Sequence, residues 1–150
     1  MARRGYKQKS EYEEKVVEIK RVSKKTKGGD QMSFTALVVI GNRKGDLGVG
    51  SAKSKDVVSS IRKAVDFAHR NMIKLKTTGS TIAHEVRAKY GAASVLIKPA
   101  PEGAGLIAGG SVRVVLELAG IKNASAKMLG SNNKLSNVRC TVKALQKLRE

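Results

Sequence analysis

Residues 20–54 read KRVSKKTKGGDQMSFTALVVIGNRKGDLGVGSAKS, and this stretch decides the fold of the first half of the chain. A basic segment closed by Gly28 and Gly29 leads into an apolar run. A second glycine-bounded turn then leads to a short strand that carries Gly48 and Gly50. Apolar runs between glycine turns predict a meander of antiparallel strands. Lysine and arginine lie mainly in the connecting loops, where they can reach a phosphate without disturbing a packed face.

The composition favours a polyanionic partner. The chain has 150 residues, with 30 Lys and Arg against 12 Asp and Glu, and a net charge of +18. Each phosphate that such a surface neutralises releases condensed counterions, so we expect binding to nucleic acid. Three Tyr, two Phe and no Trp favour recognition of backbone and shape over the stacking of unpaired bases in series.

Cysteine usage and hydropathy indicate a cytoplasmic protein. Cys140 stands alone, which excludes an internal disulfide and is typical of a reducing compartment. No run of about 18 apolar residues occurs, so we expect no membrane segment. The first four residues, MARR, lack the apolar core of a secretion signal.

Periodicity divides the chain into two domains. Residues 1–10 have no apolar periodicity and predict a flexible basic arm. Residues 11–75 form the first domain, 76–80 (KTTGS) a polar linker, and 81–150 the second domain.

The first domain is predicted to contain three strands and one helix. A strand begins at Glu13 and closes at Val22, although a short helix remains an alternative because EYEEKV is helix-friendly. The strand from Met32 to Ile40 is almost continuously apolar, which predicts burial on both faces. Leu47 to Gly50 continues the sheet, and an amphipathic helix follows from an N-cap at Ser54 to about Leu75.

The second domain mixes strands and helices. The pattern predicts two strands followed by a glycine-rich segment, a helix that Gly120 stops, a short strand and a last helix. The predicted bounds are Thr81–Tyr90 and Ala93–Pro99 for the first strands, Ser111–Ala119 for the helix, Lys122–Leu129 for the third strand, and Ser136 for the start of the last helix.

Two glycine-rich segments resemble nucleotide-binding motifs, but each lacks a residue that its motif requires. Gly45 to Gly50 resembles a P-loop, but Ala52 precedes Lys53-Ser54 where the pattern needs glycine. Gly103 to Ala108 fits the dinucleotide pattern but lacks an acidic residue about 20 positions further on. With no carboxylate pair, Ser/His/Asp set or metal cluster at usable spacing, we predict no enzyme, no cofactor and no metal. The residues alone thus favour a small two-part α/β RNA-binding protein.

Six segments resemble the bacterial small-subunit ribosomal protein S5 family, and the KPAPEGAGLIAGG block is the most specific of them. They are Val22–Gly29, Phe34–Gly41, His69–Met72, Lys98–Gly110, Leu116–Gly120 and Leu129–Asn133. The resemblance implies an α+β fold with two small domains. The first would be like a double-stranded-RNA-binding domain, with a three-stranded antiparallel sheet and a helix. The second would be a sheet with two helices that contains a left-handed βαβ crossover.

The resemblance also implies a function. The protein would be a structural constituent of the small ribosomal subunit, where head meets body, and would not form a homo-oligomer. The first domain would bind small-subunit ribosomal RNA, with the loop Val22–Gly29 directed toward the head hinge and the spectinomycin pocket. The second would contact small-subunit proteins four and eight. The contact with protein four would influence translational accuracy, beside the messenger RNA entry channel.

Two sets of candidate residues follow from the charge pattern and the resemblance. The candidate ribosomal-RNA contacts are Arg21, Ser23, Lys24, Lys25, Lys27, Gly28, Gly29, Arg43, Lys44, Gly48, Gly50, Lys53, Lys55, Arg62 and Arg70. The candidate protein contacts are Glu102, Gly103, Gly105, Ile107, Gly109, Gly110 and Arg113.

The chain departs from the family pattern at Asp46, Ala52 and Lys134, where basic, glycine and proline residues are usual. The Asp46 departure puts one RNA contact in doubt. An alternative function is a free-standing double-stranded-RNA-binding regulator, which would need only the first domain. A nucleotide-dependent enzyme is a further alternative, which ATP binding would reveal.

Overall fold

Polar–apolar alternation from Glu13 onward produces the long strands of a first sheet. The computed structural model describes residues 12–76 and 79–148, so the predicted arm 1–10 lies outside the described residues. The first sheet has the order β1-β2-β3-β4 and is antiparallel throughout. Its elements are β1 (Glu13–Thr26), β2 (Gly29–Gly41), β3 (Asp46–Ser54), α1 (Val57–Arg70) and β4 (Ile73–Lys74). The short helix considered for residues around Glu13 is therefore absent, and β4 adds a two-residue strand to the three expected.

The second half forms another sheet with two helices. Its elements are β5 (Val86–Tyr90), β6 (Ala93–Pro99), β7 (Leu106–Ile107), α2 (Gly110–Ala119), β8 (Ala124–Met128) and α3 (Lys134–Gln146). The strand order is β5-β6-β8-β7, with β7 parallel to β8 and the other pairs antiparallel. Because α2 connects the two parallel strands, β7, α2 and β8 form a βαβ unit, and the α+β fold class is confirmed.

Strand β2 is buried on both faces, as its apolar run predicts. Ala36, Val38 and Ile40 point to one face and pack against α1. Leu37 and Val39 point to the other face and join the core of the second half. The first sheet thus lies between α1 and the second domain, and α2 contacts β1, β2 and β3.

The glycines of β3 allow α1 to approach the sheet closely. A Cβ on Gly48 would lie 2.6 Å from the carbonyl oxygen of Ala68. One on Gly50 would overlap the carbonyl oxygen of Ala64. Both glycines are buried. Their prediction as RNA contacts is therefore corrected, because the backbone that approaches them is that of α1.

Helix α1 begins and ends at residues other than those predicted from the sequence, because of tertiary contacts. Ser54 pairs with Phe34 in the sheet, so α1 begins at Val57 after the N-cap Asp56 rather than at Ser54. The helix ends at Arg70 because the segment after it returns to the sheet, where Ile73 pairs with Leu47.

The second half also differs locally from expectation. The strand that was predicted from Thr81 begins only at Val86, because the Thr81 hydroxyl donates to the carbonyl of Asn123 (2.8 Å) and the carbonyl of Ser80 accepts from Lys122 and Asn123. The last helix begins at Lys134 rather than Ser136. Strand β7 lies in the predicted glycine-rich segment and was not expected.

Two general features complete the fold. Cys140 is fully buried, as expected for a packing residue, and burial raises the pKa of its thiol. Among the described residues, no helix is long and apolar enough to span a membrane.

The packing of β3 on α1 predicts that alanine in place of glycine lowers stability much more at position 50 than at position 28. Gly50→Ala should lower the free energy of unfolding by about 1–3 kcal/mol, because the new methyl overlaps a helix carbonyl. Gly28→Ala is the matched control, since a Cβ there meets no atom within 4 Å, and it should change stability by less than about 0.5 kcal/mol. Chemical denaturation of both purified variants is the measurement. Equal effects would contradict the assigned packing.

Candidate nucleic-acid interface

The hairpin of β1 and β2 projects beyond the rest of the first sheet. Strand β3 last pairs with β2 at Ser54 and Phe34, whereas β1 and β2 continue to pair as far as Thr26 and Gly29. Residues 22–33, which we call the ribbon, therefore pair only with each other. At about 3.3–3.4 Å per residue, five residue pairs extend it by about 17 Å past β3.

The predicted basic loop is the end of this ribbon. Lys24, Lys25 and Lys27 are exposed, and Arg21 is exposed at its base. Alternation along β1 places Lys24 on one face of the ribbon and Arg21, Ser23 and Lys25 on the other, the face that carries α1. Asp30 pairs with Lys25 across the ribbon, so this second face also carries one acidic residue, and the ribbon as a whole remains positively charged. The sequence-based expectation of a loop is corrected to paired strands with a tight turn.

One of the two glycines at the tip has a backbone conformation that favours glycine. Gly29 has a φ of 123°, which side chains disfavour, whereas Gly28 has no positive φ. The Thr26 hydroxyl donates to the carbonyl of Gly29 at 2.6 Å and closes the turn.

The other predicted RNA contacts divide into surface residues and one residue engaged within the protein. Lys44, Lys53, Lys55, Arg62 and Arg70 are exposed on the turn, the end of β3 and α1. Arg43 is different. Its Nε donates to Glu13 Oε2 at 2.8 Å, and one terminal nitrogen lies 3.5 Å from Glu117 Oε1.

Arg43 belongs to a network of charges that bridges the two domains. Lys15 Nζ donates to Glu117 Oε2 at 2.8 Å, so Glu117 of α2 receives both cations from the first domain. The bond from Lys15 lowers the pKa of Glu117, and the bond from Arg43 lowers the pKa of Glu13. Sequence reasoning missed this network because its bonded residues lie up to 102 positions apart in the sequence.

Close backbone packing accompanies these charges. The amide of Arg43 donates to the carbonyl of Leu118 at 3.0 Å, and a Cβ on Gly41 would lie 2.5 Å from that carbonyl oxygen. Gly120 ends α2 with a φ of 93° and lies directly against the Arg43 carbonyl. The turn between β2 and β3 is thus fitted to the end of α2.

The three departures from the family pattern have structural settings. Asp46 accepts a bond from the Asn42 side-chain amide at 2.9 Å, so it stabilises the turn. Ala52 is half-buried against the core beneath α1. Lys134 is the first residue of α3, a position that accepts proline and other residues alike. The side chain of Asn133 caps this helix by accepting a hydrogen bond from the Leu135 amide.

The candidate protein-contact segment forms an exposed edge of the second domain. Gly103 and Gly105 have φ values of 89° and 74°, and a Cβ on either would meet open space. Ile107 is 64% exposed on the edge strand β7. Glu102, Gly110 and Arg113 are also exposed, whereas the space beside Gly109 is filled by Met128. An exposed apolar side chain among glycines suits contact with another protein.

In residues 12–76 and 79–148, no group of three or more His, Cys, Asp or Glu side chains could hold a metal ion. Among these residues, the basic ribbon and the exposed glycine-rich edge both favour binding of a macromolecular partner.

Comparison with known proteins identifies the class. A family model described as "Ribosomal protein S5, N-terminal domain" matches residues 12–76, and "Ribosomal protein S5, C-terminal domain" matches residues 88–150. The chain is 56% identical over 141 residues to "Small ribosomal subunit protein uS5" of Campylobacter jejuni strain RM1221, an alignment that covers 94% of this chain and 96% of the relative. The protein of the same name from C. jejuni strain 81-176 aligns to the same extent.

These matches define a two-domain ribosomal protein. The chain belongs to the ribosomal protein S5 family, and the resemblance found in its motifs is confirmed.

The charge network predicts a pH-dependent contribution to stability. Because folding lowers the pKa of Glu117, its stabilising effect is present above the ordinary carboxylate pKa of 4.5 and is lost as the pH falls through the lower folded value. Glu117→Gln should therefore lower the free energy of unfolding at neutral pH by at most about 1 kcal/mol, as expected for partly exposed ion pairs. The difference from the wild type should vanish in acid and shrink in high salt.

The measurement is denaturant unfolding of both proteins across a pH series. Glu85→Gln, at an exposed position away from the network, is the control and should leave stability unchanged. A difference that persists in acid would contradict the ionic origin of the effect.

Proposed function

We propose that this protein is a structural constituent of the cytoplasmic small ribosomal subunit that binds ribosomal RNA at the junction of head and body. The ribbon carries the proposal, because it presents three lysines on a stiff two-stranded arm beyond the packed sheet. In this proposal its tip docks toward the head hinge, beside the spectinomycin pocket. The family is structural rather than enzymatic, which agrees with the absence of an assembled catalytic set in the sequence.

Phosphate recognition explains the chemistry of the ribbon. Lysine is a flexible point charge that binds phosphate without reading a base. The ribbon contains no aromatic side chain on which a base could stack. Its charges on both faces suit insertion between RNA segments rather than docking on one flat surface. The surface cations of α1 and β3 then extend the same interaction along the first domain.

The second domain supplies the proposed protein contacts. We assign the edge around Gly105 and Ile107 to small-subunit protein four, since neighbouring backbone can approach glycine closely and Ile107 offers an apolar anchor. Contact with protein eight is assigned to this domain more generally. Through protein four, beside the messenger RNA entry channel, the contact would influence translational accuracy.

A free-standing double-stranded-RNA-binding regulator is the second candidate function. It would use the first domain alone, yet Leu37, Val39 and Leu47 of that domain are buried in a core shared with the second. That shared core favours the ribosomal role, in which both domains are used.

RNA affinity should depend on the ribbon lysines through their charge. The double variant Lys24→Ala/Lys25→Ala should weaken binding to purified small-subunit ribosomal RNA by about 1 kcal/mol per lysine. The slope of log affinity against log salt should fall by about 0.7–0.9 for each phosphate that the variant no longer neutralises.

Filter binding across a salt series measures both quantities. The control is Lys122→Ala/Lys127→Ala, which removes the same charge from exposed positions of the second domain. If the two double variants bind RNA alike, the ribbon is not the specific RNA contact.

The glycine-rich edge can be tested with a matched pair of variants. Gly105→Arg introduces bulk and charge at the proposed contact, whereas Gly105→Ala shares its backbone strain at positive φ without that bulk. We expect Gly105→Arg to weaken association with purified small-subunit protein four and to change the misreading frequency in a reporter strain. Gly105→Ala should do so far less. Equal effects of the two variants would assign the result to strain and remove the contact proposal.

A further inference from the structure

Part of the first sheet is left uncovered on the face opposite α1. The second domain covers this face at Leu37, Val39 and Leu47. Toward the ribbon, the residues of the same face are only half-buried or exposed, among them Thr35 and Ser51. We call this uncovered area, from Ser51 and Thr35 to the base of the ribbon, the open face.

Two lysines lie in one row across the open face. Strand register pairs Lys20 with Thr35, and Thr35 with Lys53. At a strand spacing of about 4.7–4.9 Å, the two lysine backbones are about 10 Å apart on the same face. Glu18 shares this face, and its carboxylate lies 3.8 Å from the Lys20 ammonium.

A cleft opens at the inner end of this face, between β3 and the second domain. It has a volume of about 290 Å³ and is lined by Val49, Tyr90, Arg139, Val142, Lys143 and Gln146. Val49 precedes Lys53 by four residues in β3 and therefore shares its face, about 13 Å away. None of these six lining residues is acidic.

Tyr90 is held at the mouth of the cleft with part of its surface free. The side chain is 38% exposed, and its hydroxyl accepts a bond from Arg139 at 3.1 Å. Lys143 donates to the carbonyl of Lys89 at 3.1 Å and lines the same cleft. The site thus combines an aromatic ring, the apolar side chains of Val49 and Val142, and two cations.

We propose that this cleft binds one unpaired base of an RNA strand that crosses the open face. The base stacks on Tyr90 above Val49 and Val142, and phosphates on either side are held by Arg139 and Lys143 and by Lys53 and Lys20. The proposal rests on RNA binding as the function of the protein and adds a single-stranded site that is separate from the ribbon.

Size and chemistry both favour a nucleotide here. The cleft volume lies at the lower limit of about 300 Å³ for small-molecule sites, so it suits one base rather than a larger ligand. Aromatic side chains beside a basic groove are the common means of binding single-stranded nucleic acid. The favoured occupant is therefore an unpaired nucleotide, because an acidic peptide segment would leave the tyrosine ring without a stacking partner.

The test compares three fluorescent probes on the full-length protein. They are a 12-nucleotide single-stranded RNA, a 12-base-pair RNA duplex and an abasic 12-nucleotide ribose-phosphate strand. Tyr90→Leu should weaken binding of the single strand by about tenfold, equivalent to about 1.4 kcal/mol. It should leave binding of the duplex and of the abasic strand within about twofold of wild type, since these lack a base free to stack.

Tyr90→Phe keeps the aromatic ring and should retain most of the single-strand affinity. Thermal unfolding of both variants should show that the partly exposed side chain is not required for folding. Crosslinking of a 5-iodouridine-containing strand should join the wild-type protein at Tyr90.

Each other outcome overturns the proposal in a distinguishable way. Loss of affinity for all three probes together would show that Tyr90 acts through general charge or folding. Single-strand binding that ignores Tyr90→Leu would exclude the base site while leaving RNA binding by the ribbon intact. No binding of any RNA by wild type would remove the proposed function as well. Displacement of the single strand by a 12-residue polyglutamate peptide as effectively as by unlabelled RNA would assign the cleft to an acidic protein segment.

Discussion

The burial of β2 on both faces is the constraint on which the rest of the structure depends. Five consecutive residues, Ala36 to Ile40, are at most 4% exposed, and their side chains alternate between two cores. Helix α1 can cover only one face, so the other requires the second domain. Exposing apolar surface costs about 25 cal/mol per Å², and the first domain alone would expose the Leu37 face. The two domains therefore depend on each other to bury their apolar surface, even though each matches its own family model.

This shared core also determines where the ribbon points. An isolated two-stranded hairpin is marginally stable in water. Here both strands of the ribbon continue into the buried sheet, which fixes their direction relative to the second domain. A tip that is already ordered loses little conformational freedom on binding, so more of each phosphate contact contributes to affinity. The same continuity couples the RNA-binding arm mechanically to the glycine-rich edge of the other domain.

The sequence predicts local periodicity well and long-range partners poorly. The apolar run of β2, the stripe of α1 and the stop at Gly120 were predicted because each depends on neighbouring residues. The predicted end of α1 was wrong because pairing between β3 and β4 competes with helix propensity. Arg43 was predicted to contact RNA. The residues near it in the sequence do not reveal that Glu13 and Glu117 lie beside it in the fold. Gly48 and Gly50 were predicted to contact RNA, because the sequence does not reveal that the backbone of α1 lies against them.

At the contact between the two domains, acidic side chains offset basic ones, although the chain as a whole is strongly basic. With 12 acidic residues against 30 basic ones, most lysines and arginines have no carboxylate available. Two of the acidic residues, Glu13 and Glu117, nevertheless lie beside Lys15 and Arg43 at this contact. Such partly exposed pairs add little stability, about 0–1 kcal/mol each, so apolar burial must supply most of the cohesion. Their effect is to remove like-charge repulsion where the domains meet, which leaves the net positive charge of the ribbon available to a polyanion.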